Sequence, residues 1–115
     1  MSAWLQTPGA AWAVLVVSGL FETAWAVGLP RTEGFTRLGP SAFVLAAMAV
    51  SIYGLSVAVR VLPIGTAYAV WTGIGTVGAV VFGLVVLGEP RSAARLACVG
   101  LILAGVVGLK VVGHE

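Results

Sequence analysis

The sequence predicts an all-α integral membrane protein with four transmembrane helices, and three observations carry that expectation. Of 115 residues, 60% are hydrophobic and 9% charged, with a mean hydropathy of +1.11; a soluble domain carries about 25% charged residues. The apolar residues fall into four runs, near 10–29, 41–60, 65–87 and 93–112. Each approaches the ~20 residues that a helix rising 1.5 Å per residue needs to cross about 30 Å of hydrocarbon. Finally, Arg31, Arg37, Arg60, Arg91, Arg95 and Lys110 all lie outside the runs or at their ends, where long basic side chains reach the interface. Residues 1–115 thus read as a single four-helix transmembrane domain, the lipid bilayer being its first partner.

Span 1 follows a short polar lead at Gln6, Thr7 and Pro8, a proline suited to a helix start. No basic side chain precedes it, so it reads as a span and not as a cleavable signal. Pro30 is expected to stop it near Leu29, and residues 31–40 form the one long loop, of mixed charge. Ser41 is positioned to cap span 2, which runs uncharged to Val59 with Ser51, Tyr53 and Ser56 as its polar groups. Ser51, near the middle, is the one to watch; a hydroxyl in a span also bonds back to its own helix. Only Leu62-Pro63-Ile64 separates spans 2 and 3, so these are expected to be antiparallel neighbours.

Span 3 is uncharged and rich in glycine, and Gly73-Ile74-Gly75 offers either a place to bend or simply close packing. Gly88-Glu89-Pro90-Arg91 is a turn into span 4. There Cys98 and Gly105, and Ala97 and Ala104, recur at seven residues and form a small-residue stripe suited to helix association. Cys98 is the only cysteine, so no intrachain disulfide is available. His114 reads as a solvated tail residue. The four arginines of loop 1 and the last turn face Arg60, Lys110 and the amino terminus on the other side, a bias small enough to permit insertion both ways.

Glu22 is the one charged residue between Ala10 and Leu29. A carboxylate at such a depth is costly and marks a functional site. Its neighbours at helical spacing, Ser18, Gly19, Trp25 and Ala26, leave room beside it and add an aromatic face with an indole donor. Tyr68 and Trp71 repeat that three-residue spacing in span 3. The two pairs read as one aromatic box around a cation, or else as packing and interface-belt aromatics. No Asp, Lys, Arg or His inside a span neutralises Glu22, so a proton or a bound cation supplies its counter-charge, and the two compete for one site.

There is no aspartate and only one histidine, so no nucleophile with its base, no metal cluster and no phosphate loop can be assembled. Nothing resembles a nucleic-acid patch. The chain is not expected to be an enzyme or to need a cofactor or metal. A helix-packing subunit whose Glu22 pairs with a partner's basic residue, or a channel, are the readings from other classes.

Gly19-Leu20-Phe21-Glu22-Thr23-Ala24-Trp25-Ala26, Gly34-Phe35-Thr36-Arg37, the run Pro63-Ile64-Gly65-Thr66-Ala67-Tyr68-Ala69-Val70-Trp71-Thr72-Gly73-Ile74-Gly75 and Gly88-Glu89-Pro90 together resemble the small multidrug resistance family. The loop and the span 3 run resemble its guanidinium exporter subtype. The resemblance implies a bacterial inner-membrane transporter, an antiparallel dual-topology homodimer that exchanges protons for guanidinium-type cations. It also implies that Glu22 is the shared proton and substrate carboxylate, surrounded by Gly19, Trp25, Ser51, Tyr68 and Trp71. Gly73 and Gly75 become the hinge of helix 3, and Gly105 and Val106 the dimer interface on helix 4. The wider family adds quaternary ammonium cations as substrates and a paralogous subunit as a partner. One departure stands out: Pro30-Arg31 occupies the place where the guanidinium subtype usually has a lysine.

Overall fold

The structure is a computed structural model that describes residues 7–112; His114 lies outside the described residues. Four helices are each long and apolar enough to cross a membrane: α1 (Pro8–Gly28), α2 (Leu38–Ala58), α3 (Ile64–Val85) and α4 (Ala93–Val112). Extended Thr7 caps α1, its hydroxyl accepting from the Ala10 N–H at 3.3 Å, with Pro8 opening the helix. The four spans stand as expected, with ends displaced by a few residues.

Pro30 does not end the helical path outright. A 3-10 turn, Leu29–Thr32, continues from α1 and carries Pro30 in its first positions, where a missing N–H leaves no bond unmade. Buried Thr32 then organises the loop. Its hydroxyl donates to the Leu29 carbonyl at 2.8 Å and accepts from the Phe35 N–H at 3.2 Å, while its carbonyl accepts from Thr36 and Arg37. Glu33, Gly34 and Phe35 all have positive φ, 48°, 74° and 66°, a rare left-handed trio that these bonds sustain.

The expected cap at Ser41 is corrected. α2 begins three residues earlier, at Leu38, with Arg37 as its extended first flank. Pro40 fits inside the first turn because N–H groups there have no intrahelical acceptor, so Ser41 already donates its own N–H to the Arg37 carbonyl at 3.1 Å.

The tight turn after α2 also leads to a different arrangement from simple pairing of α2 with α3. Both helices pack chiefly on α1, which lies between them, and meet each other far less. Gly54 sits against Ser18, and Gly28 against Phe43 and Val44; Gly19 sits against Ile74, Gly75 against Glu22, and Gly78 against Thr23. These pairings run antiparallel for α1 with α2 and parallel for α1 with α3. In hydrocarbon no hydrophobic force drives helices together, so association depends on close approach of this kind. A Cβ at Gly54 would stand 2.6 Å from the Ser18 Cβ, so the seam requires glycine there.

Ala11, Trp12, Leu15, Ala58, Leu62, Ala67, Val70 and Trp71 form a buried cluster where the start of α1 meets the α2–α3 turn. At the far end of α3, Gly88 at φ 69° lets the chain reverse, and the Glu89 N–H returns to the Gly83 carbonyl at 3.0 Å. Arg95 reaches back to Glu89 at 3.3 Å. α4 lies on α3 through Val106 and Ile102, which face Gly73. Its Lys110 ammonium stands 5.6 Å from the centre of the Trp12 ring, yet no residue of α4 is buried.

Candidate functional site

Glu22 projects from α1 onto the backbone of α3. A Cβ on Gly75 would lie 2.5 Å from the Glu22 carboxyl carbon and 2.8 Å from Oε2, so bare glycine forms the floor on which the carboxylate rests. Oε2 is enclosed and has no hydrogen-bond partner, and the same holds for the Trp25 indole N–H one turn further along α1. The two ion pairs among the described residues, Glu33 with Arg37 and Glu89 with Arg95, lie in the turns at the ends of the spans. Glu22 therefore stands in the bundle as an acceptor with no cation beside it among the described residues.

A second group of predicted residues meets one turn earlier along α1. The Trp71 indole N–H donates to the Ser51 hydroxyl at 3.0 Å, and that hydroxyl donates to the Ser18 carbonyl at 2.7 Å. Ser51 is completely buried. Tyr68 stacks on Trp71, with ring centres 5.8 Å apart and planes inclined by 30°, while its own outer face is open. The chain Trp71, Ser51, Ser18 joins α3, α2 and α1 one helical turn before Glu22. Gly19 is buried against Ile74 and belongs to the α1–α3 seam.

Two residues expected at the hinge have further contacts. Gly73 makes room for Val106 of α4, whose Cγ2 would be 2.6 Å from an added Cβ, and Gly75 makes room for Glu22. Val106 thus packs within the protomer, while the place beside Gly105 is open.

Sequence reasoning did not single out Thr23, whose hydroxyl donates to the Gly75 carbonyl at 3.1 Å, or Thr72, whose enclosed hydroxyl has no partner. Thr23 adjoins Glu22, and Gly75 and Gly78 recur at three residues on α3; that spacing was the available signal for a groove receiving both side chains.

The profile of the Small Multidrug Resistance protein family matches residues 10–102. The guanidinium exporter of Citrobacter freundii is 59% identical over 103 residues, spanning 90% of this chain and 98% of that protein. The guanidinium exporter of Yersinia pestis is 56% identical over 100 residues, 87% of this chain and 96% of its own length. A guanidinium exporter of Salmonella typhimurium strain LT2 is 53% identical over 103 residues, again 90% and 98%. With its four membrane-spanning helices and these bacterial relatives, the chain belongs to the small multidrug resistance family and is a multi-pass protein of the bacterial inner membrane.

Proposed function

We propose that this protein is a proton-coupled antiporter that exports guanidinium and small substituted guanidinium cations, working by alternating access in an antiparallel, dual-topology homodimer. The observation that carries the reading is the Glu22 carboxylate, laid on Gly75 with an unpartnered oxygen and no protein cation beside it. The names of its relatives support the choice of cation.

Guanidinium is planar, with N–H donors directed outward in its plane, and matches a carboxylate edge to edge. Flat aromatic faces favour such a cation. Trp25 stands one turn from Glu22, and the Ser51 bond fixes the Trp71 ring on which Tyr68 stacks. Protonating Glu22 removes both its negative charge and acceptor capacity, so a loaded proton excludes the cation and a loaded cation excludes the proton. Exchange follows from this competition.

Dimerisation supplies a second carboxylate and covers the outward face of α4, where the open place beside Gly105 would lie at the interface, Val106 being turned inward onto Gly73. Gly73 and Gly75 would let α3 bend as the site changes sides. The test is reconstitution of this chain alone. Proteoliposomes loaded at acidic pH and diluted into alkaline buffer should accumulate guanidinium against its gradient as protons leave, and Glu22→Gln should abolish the coupling. Full activity in that variant would refute the assignment.

An apolar groove of about 410 Å³ between α1 and α2, lined in part by Val14, Val17, Ser18, Val50 and Tyr53, favours a second reading in which quaternary ammonium cations with an alkyl tail are also carried. Comparing transport currents for the two cations decides between narrow and broad selectivity. Flux only after a paralogous chain is added would assign this one to a heterodimer.

A further inference from the structure

Five hydroxyls in these helices and their loops donate locally. Ser18, Thr32, Thr36, Ser56 and Thr76 each donate to a carbonyl three or four residues earlier, the usual behaviour of serine and threonine in helices. Thr23 does not. Its hydroxyl crosses from α1 to the Gly75 carbonyl of α3 at 3.1 Å. The side chain fills the place that a Cβ on Gly78 would take. Two glycines one turn apart on α3 thus receive two consecutive residues of α1, Glu22 on Gly75 and Thr23 on Gly78.

The acceptor gives this bond its significance. In a regular helix the Gly75 carbonyl already accepts from the Ala79 N–H four residues on, and a carbonyl has a second lone pair for Thr23. Bending α3 at Gly73-Ile74-Gly75 stretches bonds of that ladder. Inside a membrane no water replaces a stretched bond, and the hydroxyls of serine and threonine are among the groups able to do so.

We infer that Thr23 is a positioning residue whose hydroxyl acts as the stand-in donor to Gly75, letting α3 open its backbone ladder there while Glu22 is held in register with that helix. The inference rests on the antiport reading, because it assigns Thr23 to the rate of the conformational step and not to cation affinity.

The full chain, reconstituted, tests it with two substitutions. Thr23→Val keeps the shape against Gly78 and removes the donor; Thr23→Ser keeps the donor and removes a methyl group. For Thr23→Val the maximal guanidinium-driven proton flux should fall about fivefold, the size expected for one hydrogen bond. Its equilibrium guanidinium affinity should stay within about twofold of the parent, a change too small to represent loss of a binding contact. Amide hydrogen exchange around Ala79 should slow, because the ladder opens less often. Thr23→Ser should restore both flux and exchange.

Parental flux and exchange in Thr23→Val would overturn the inference, as would Thr23→Ser behaving like the valine variant, which would assign the effect to packing. An affinity loss equal to the loss of flux would instead make Thr23 a binding residue and also refute it. Should Thr23→Val fail to assemble, Thr23→Ala set against Thr23→Ser makes the same comparison. Absence of coupled flux in the parent chain would sink the antiport reading by itself, while the exchange measurement would still decide whether Thr23 controls opening of α3.

Discussion

Replacing Gly75 by alanine separates the role of this residue as the floor of the carboxylate site from its role as a flexible point in α3. The added methyl carbon would stand 2.5 Å from the Glu22 carboxyl carbon and 2.8 Å from both Cγ and Oε2. Comfortable contact between non-bonded heavy atoms begins near ~3.5 Å, so the carboxyl group must retreat by about 1 Å or the two helices must part by as much. Overpacking of this kind costs about 1–3 kcal/mol. Alanine returns about 1 kcal/mol through its better helix propensity, so the net loss of stability is about 0–2 kcal/mol and the fold should survive.

Function should suffer more. A displacement of about 1 Å at a reacting group can cost about a hundredfold, and guanidinium binding is expected to weaken by about 10- to 100-fold. Titration of the purified protein with guanidinium, followed by tryptophan fluorescence, gives that ratio, and circular dichroism in detergent gives the stability. Gly9→Ala serves as the control, because a Cβ there meets nothing within 4 Å. If Gly75→Ala binds guanidinium within twofold of the parent while remaining folded, the contact between Glu22 and α3 is not part of the working site.

Ser51→Ala leaves the Trp71 indole N–H and the Ser18 carbonyl without their present side-chain partner. A loss of about 1–3 kcal/mol is expected from thermal unfolding in detergent, the penalty for a buried polar group left unpaired, together with weaker guanidinium binding as the Trp71 ring loosens. Gly73→Ala drives a methyl into Val106 and should destabilise the α3–α4 contact by about 1–3 kcal/mol. Adding Val106→Ala should recover at least half of that loss, and a double-mutant cycle that returns strict additivity would show the two residues are not in contact. Thr32→Val removes the hydroxyl that bonds Leu29 and Phe35; limited proteolysis should then cut the 33–37 loop several-fold faster, whereas an unchanged cleavage rate would refute its organising role.

The four spans were legible because bilayer thickness is written directly into the lengths of the apolar runs, and the isolation of Glu22 was legible from charge alone. What helix periodicity cannot convey is the partner that a face meets. The short link at Pro63 pointed to α2 and α3 as neighbours, yet the small residues along two faces of α1 allow it to approach both, and it takes the place between them. Gly75 illustrates the same limit: a glycine in a helix reads equally as a bend, a packing point or a floor, and the choice depends on Glu22 arriving from another helix. Ser41 was misplaced for a local reason, since Pro40 is compatible with the first turn as well as with a position before it.

The isolation of α4 has a consequence for how the protein comes into being. α1, α2 and α3 share a seam and can form a unit once inserted, whereas α4 is held to them along one face only, by Val106 and Ile102 at Gly73, by Leu109 against the buried cluster and by the Lys110–Trp12 contact. A partner covering its outer face would add to that hold, and docking of α4 would then depend on protein concentration in the membrane. Apparent thermal stability should accordingly rise with the protein-to-lipid ratio, and dilution into excess detergent should release the fourth span first.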